Sequence, residues 1–123
     1  MKNRKHGVWL ATIVFASCLA ISGCRSRHID STIDNRTGGP IHQVQVDYPS
    51  ASFGVDTLSQ GQIYPYRFQV RGEGRIKVQY TDGTGKQIVR QGTYLKEGNY
   101  GQYLIILLPG GEVKWEPAIE SKK

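Results

Sequence analysis

The pattern of apolar and polar positions divides this chain into two unlike parts. A basic flank with Lys2, Arg4 and Lys5 precedes an almost unbroken run of apolar and small residues over 7–21, including Val8, Trp9, Leu10, Ile13, Val14 and Phe15. From Ile29 onward the apolar residues recur with period two in short stretches bounded by turn residues, which predicts strands rather than helices. The expected strands cover residues 29–35, 41–48, 51–55, 63–71, 75–81, 87–95 and 103–108, with a last short one marked by Val113 and Trp115. Within them Val44, Val46 and Tyr48 share one face, as do Tyr64, Tyr66, Phe68 and Val70, and as do Ile76, Val78 and Tyr80. Residues 103–108 are continuously apolar, the pattern of a central strand covered on both faces.

Turn chemistry punctuates the same map. Gly38-Gly39-Pro40, Pro49-Ser50, Ser59-Gln60-Gly61, Glu97-Gly98-Asn99 and Pro109-Gly110-Gly111 each end a stretch. Gly72-Glu73-Gly74 is expected to fold 63–71 onto 75–81 as a hairpin. Asp82-Gly83 predicts a second hairpin with positive φ at both turn positions. Seven or eight antiparallel strands in about 90 residues must cover one face each, which predicts an all-β sandwich, with a small closed barrel as the alternative. The expected domain covers 29–116, followed by a polar tail over 117–123.

The N-terminal apolar run is shorter than the ~20 residues that span a bilayer and has the length of the apolar core of an export signal. An uncleaved anchor helix and an ordinary secretory signal with an incidental cysteine are the alternatives. The run ends in Ile21-Ser22-Gly23-Cys24, which resembles the lipobox of bacterial lipoproteins. The resemblance implies cleavage between Gly23 and Cys24, removal of residues 1–23, and a diacylglyceryl group on the Cys24 thiol. Residues 24–28 would then be the lipidated cysteine and a short tether. An aspartate after the cysteine retains such proteins at the inner membrane; here Arg25 stands there, implying delivery to the outer membrane, facing the periplasm. In a cell with one membrane the same signal implies the outer surface. Arg25 and Arg27 are placed to meet anionic headgroups.

The domain itself resembles the immunoglobulin-like sandwiches of exported bacterial proteins through Asn35-Arg36-Thr37-Gly38 and Leu58-Ser59-Gln60-Gly61. The resemblance is one of architecture and implies no activity. The two cysteines, Cys18 and Cys24, both lie at or before the lipobox, so no disulfide is expected within the domain.

Charge narrows the partners. The formal charge is +6, but without Lys2, Arg4 and Lys5 the 16 basic residues fall to 13 against 10 acidic ones, about +3. That is too little to point to nucleic acid. Catalytic chemistry has no constellation to rest on: beyond the signal only His28 and His42 could serve as imidazole bases, and neither stands in a motif. No metal-ligand spacing or cofactor motif occurs. Asp82-Gly83-Thr84-Gly85-Lys86 has neither the later acids of a calcium loop nor the Lys-Ser/Thr ending of a phosphate loop. Asp47, Asp56 and Glu112 form no recognisable pair.

Two surface features carry the binding expectations. If 63–71 and 75–81 pair, Arg67, Arg71, Arg75 and Lys77 gather with Gln69 and Gln79 on one sheet surface. It is either a solvated outer face whose like charges discourage aggregation or a patch suited to anionic lipid, glycan or an acidic partner. Tyr64, Tyr66, Tyr80, Tyr94, Tyr100 and Tyr103 fit either the rim of a small core or a glycan surface. The leading expectation is a non-enzymatic, lipid-anchored interaction or structural module of the cell envelope. A glycan- or anionic-lipid-binding domain is the second. A hydrolase inhibitor is the third, and it would need residues 92–101 to protrude as a loop.

Overall fold

A computed structural model describes residues 27–121. The signal run, Gly23, Cys24 and Arg25 lie outside the described residues. Eight strands follow one another: β1 Ile29–Asn35, β2 Ile41–Tyr48, β3 Ala51–Leu58, β4 Ile63–Phe68, β5 Gly74–Thr81, β6 Gln87–Leu95, β7 Tyr100–Leu107 and β8 Val113–Glu120. They form two four-stranded sheets, ordered β4-β1-β7-β8 and β3-β2-β5-β6, packed face to face as a sandwich. The all-β expectation therefore holds, in its sandwich form.

The core is what period-two alternation selects. Ile29, Ile33, Phe68, Tyr103, Ile105 and Leu107 from one sheet meet Ile41, Val44, Val46, Ile76, Val78, Tyr80 and Leu95 from the other, all buried. β7 is the central strand its apolar run predicts, flanked by β1 and β8, with Ile106 on its outer side also buried. In β2 the alternation slips by one residue. Ile41 and Val44 both point inward because Gln43 adopts a left-handed φ of 49° beside a register shift against β5. A bulge of this kind re-aims one side chain and sharpens the local twist.

Four expectations change. First, β1 and β7 pair in parallel, Ile29 opposite Gly101 through Asn35 opposite Leu107. Parallel neighbours need a crossover, and here the chain between them builds the whole second sheet. Second, β4 and β5 are not a hairpin: β4 pairs with β1 and β5 with β2 and β6. Residues 69–73 cross from one sheet to the other, and Val70 is buried on the way. Third, most of the expected polar tail is the outer half of β8, paired from Glu116 opposite Leu104 to Glu120 opposite Tyr100. Glu116, Pro117 and Glu120 disguise it, yet Ile119 packs on the core, and charge and proline suit an edge strand. Fourth, the β5–β6 hairpin forms, but the left-handed residue is Gly85 (φ 86°). The Asp82 carbonyl accepts from Gly85 N–H at 3.0 Å, leaving a three-residue loop between Asp82 and Lys86.

Candidate functional site

Two ends of the sandwich hold the residues that sequence patterns single out. At the end where β1 finishes, the two turn motifs meet. Asn35 is fully buried, and its amide nitrogen donates to the carbonyls of Gly39 (2.9 Å), Leu58 (2.9 Å) and Ser59 (3.1 Å). Its amide oxygen accepts from the Thr37 backbone N–H at 3.1 Å and the Thr37 hydroxyl at 2.8 Å. Its own backbone bonds with Gln62 and Gly61, and Gln60 Oε1 accepts from Gly38 N–H at 2.7 Å. An asparagine so fully satisfied is a strut, not a reactive group. Asp82 works similarly at the β5–β6 turn of this end. The Thr84 hydroxyl, the Lys86 N–H and the Thr84 N–H all donate to its carboxylate, and these bonds hold its pKa below the usual carboxylate value.

The opposite end receives residues 27–28, the last two of the expected tether. The backbone N–H of Gly101 donates to the His28 carbonyl at 3.1 Å, and the Arg27 guanidinium sits 4.5 Å from the centre of the Tyr100 ring. Arg27 and His28 are thus held against the start of β7 before β1 begins. The same end carries the β4–β5 crossing and the turn 96–99, which touch where Gly98 N–H reaches the Val70 carbonyl at 3.5 Å. Buried Asn99 closes that turn by accepting from Lys96 N–H at 2.7 Å, and it donates to the Glu120 carbonyl at 3.4 Å.

The proposed basic face does not assemble. Consecutive strands that lie in opposing sheets share a core but show their outer residues to opposite sides of the molecule. Arg67 therefore stands on the outer face of the β4-β1-β7-β8 sheet and Arg75 and Lys77 on that of the other, while Arg71 lies in the crossing. Each also has a local partner. Arg67 Nε donates to Asp30 at 2.7 Å, an exposed pair that lowers the Asp30 pKa and raises that of Arg67. Lys77 lies 3.2 Å from Asp47, Arg75 donates to the Gly92 carbonyl at 3.0 Å, and Arg71 reaches Gln69 at 3.4 Å. Residues 92–101 do not protrude either: 92–95 complete β6, 100–101 begin β7, and Asn99 clamps the turn between them. The inhibitor reading loses the loop it needs.

The histidine and the acids stay dispersed. His42 Nδ1 lies 3.3 Å from the Thr57 hydroxyl on an exposed sheet face, and among the described residues no three His, Cys, Asp or Glu side chains converge. The tyrosines split between core and rim. Tyr103 is buried in T-shaped contact with Trp115 (6.0 Å) and donates to the Thr93 hydroxyl at 2.6 Å; burial raises its pKa, as it does for Tyr80. Along the β3/β4 side a stacked aromatic column runs through Tyr48 on Phe68 and Phe53 on Tyr66, each 4.1 Å between centroids. Alternation could place these rings inward; the pairing of opposite sheet edges that stacks them has no sequence signal.

No protein-family model matches the chain, and no curated protein matches its sequence. Among solved structures, the chain is similar to a protein from Eubacterium rectale determined by NMR, at 14% identity and a TM-score of 0.55, over 78% of this chain and 95% of that one. At that identity the likeness is one of fold.

Proposed function

We propose that this protein is a bacterial envelope lipoprotein, anchored through acylated Cys24, whose sandwich acts as a non-enzymatic interaction or structural module. The observation that carries the reading is the N-terminal order of basic flank, apolar run and Ile21-Ser22-Gly23-Cys24. Each buried methylene of an acyl chain contributes about 0.8 kcal/mol, so two or more chains hold a protein on a bilayer almost permanently. The tether suits such a role. With Arg27 and His28 held against β7, only Arg25 and Ser26 separate the anchor from the body of the domain. The three Cα–Cα steps from Cys24 to Arg27 reach at most about 11 Å, which keeps the tether end of the sandwich beside the headgroups. Delivery to the outer membrane, facing the periplasm in a Gram-negative cell, follows from Arg25 in the position after the cysteine.

Fractionation tests the reading. The wild-type chain is expected in the membrane pellet after a high-salt wash, and Cys24→Ala in its soluble domain form or as retained precursor without acylation. A wild-type chain released by salt would contradict the anchor. Turnover of an envelope substrate by the purified protein would contradict the non-enzymatic role.

A further inference from the structure

Two open sheets leave four edge strands: β3 and β6 in one, β4 and β8 in the other. An edge presents a row of free backbone donors and acceptors, and proteins guard such rows with proline, basic side chains or bulges. Three of these edges are guarded. β4 has Pro65 and Arg67 in six residues, β8 has Lys114 and Pro117, and β6 has Arg90 and a register shift against β5. β3 differs. Its eight residues, Ala51–Leu58, contain no proline and no basic residue, and they pair with β2 without a register shift. Asp56 is its one charge. An open groove of about 620 Å³ runs along it, lined by Ser52, Gly54 and Asp56 with Gln43 and Gln45. On the same side of the sandwich, Tyr66 and Ile63 of β4 are 37% and 56% exposed, and the Tyr66 ring stacks on Phe53.

We propose that β3 is a self-association edge, pairing antiparallel with β3 of a second copy about a twofold axis at Gly54. The two four-stranded sheets would join into one of eight. The strand's own sequence argues for a second copy. Opposed residues in an antiparallel pair point to the same side, so the outward positions Ser52, Gly54 and Asp56 must face outward positions. Centring on Gly54 sets Ser52 opposite Asp56 of the second copy, and the reverse, so that each hydroxyl donates to a carboxylate and no like charges meet. Phe53 falls opposite Val55, extending the apolar side. Gly54 itself brings no side chain to the axis, and it must be glycine in any case, because a Cβ there would overlap the Val44 carbonyl oxygen. A twofold contact of this kind closes on itself, leaving β3 covered rather than open to further growth.

The register is testable by charge. Sedimentation of the full-length protein in detergent should show a concentration-dependent dimer. Ser52→Asp places two carboxylates opposite two others and should weaken the dimer by about tenfold or more. Ser52→Asp with Asp56→Lys restores opposite charges at both contacts and should recover dimerisation. Both positions are exposed, and circular dichroism checks that each variant is folded. A wild-type chain that is monomeric at every concentration overturns the proposal, and so does a dimer indifferent to Ser52→Asp. Loss of the dimer that the double variant fails to restore, with the fold intact, rejects the Gly54 register.

Discussion

The two ends of the sandwich are closed by different physics. At the Asn35 end, one buried side chain ties its own turn over 35–39 to the segment at Leu58 and Ser59, because its amide offers donors and acceptors that the turns leave unmatched. At the other end, the closure is spread over weaker contacts: a cation–π pair between exposed Arg27 and half-buried Tyr100, one backbone bond to His28, and the Asn99 turn clamp. The first end is built as a fixed cap. The second joins Arg27 and His28 to the first residues of β7, so under the proposed anchoring a load on the N-terminus would arrive there first.

The sharpest way to break this contrast is Asn35→Ala. It strips the partner from the buried Leu58 carbonyl and from those of Gly39 and Ser59, and is expected to cost about 3 kcal/mol in urea unfolding. A loss under about 1 kcal/mol would mean that water replaces the amide and that the cap is not a strut.

Gly101→Ala probes the other end. Gly101 has φ 132° and its added Cβ would overlap the Ala118 carbonyl oxygen, so the start of β7 must shift against β8. A cost of about 2 kcal/mol is expected, with faster proteolysis near His28, because the bond to its carbonyl shifts as well. Unchanged cleavage there would mean that His28 is not held by β7.

Arg27→Ala removes the guanidinium from Tyr100 and should cost only about 0.5 kcal/mol, read by the same denaturation. A loss as large as that of Asn35→Ala would erase the asymmetry between the ends.

The smallest effect is a pH response at the far end. The folded pKa of Asp82 lies below its unfolded value, so its stabilisation is present above the unfolded pKa and fades as pH falls through the folded one. Amide protection at Thr84 and Lys86 should drop in acid, and Asp82→Asn should flatten that drop. Protection that stays level in acid would show that the turn does not lean on the carboxylate.

Period-two alternation reveals the inward residues well, and β7 stands out by its apolar run. Alternation is blind to which strand lies next to which. Tyr64 and Phe68, like Ile76 and Val78, read as one inward face whether their strands are hydrogen-bonded neighbours or look at each other across the core. That ambiguity is why Arg67 and Arg75 seem to share a surface and do not. β8 is hidden for another reason: its outer half satisfies its backbone on β7 while showing glutamates and a proline to solvent. Asn35 and the Ser59-Gln60-Gly61 turn are both visible as motifs, but their meeting depends on long-range pairing through β1 and β4. Cys24 lies outside the described residues, so its proposed lipidation rests on the linear motif Ile21-Ser22-Gly23-Cys24 alone.

Intact-mass spectrometry of the protein extracted from membranes is the most direct test of the anchored reading. The expected species is a polypeptide that begins at Cys24 and carries the added mass of acyl chains, with that mass lost in Cys24→Ala. A full-length or soluble species without acyl mass would contradict it.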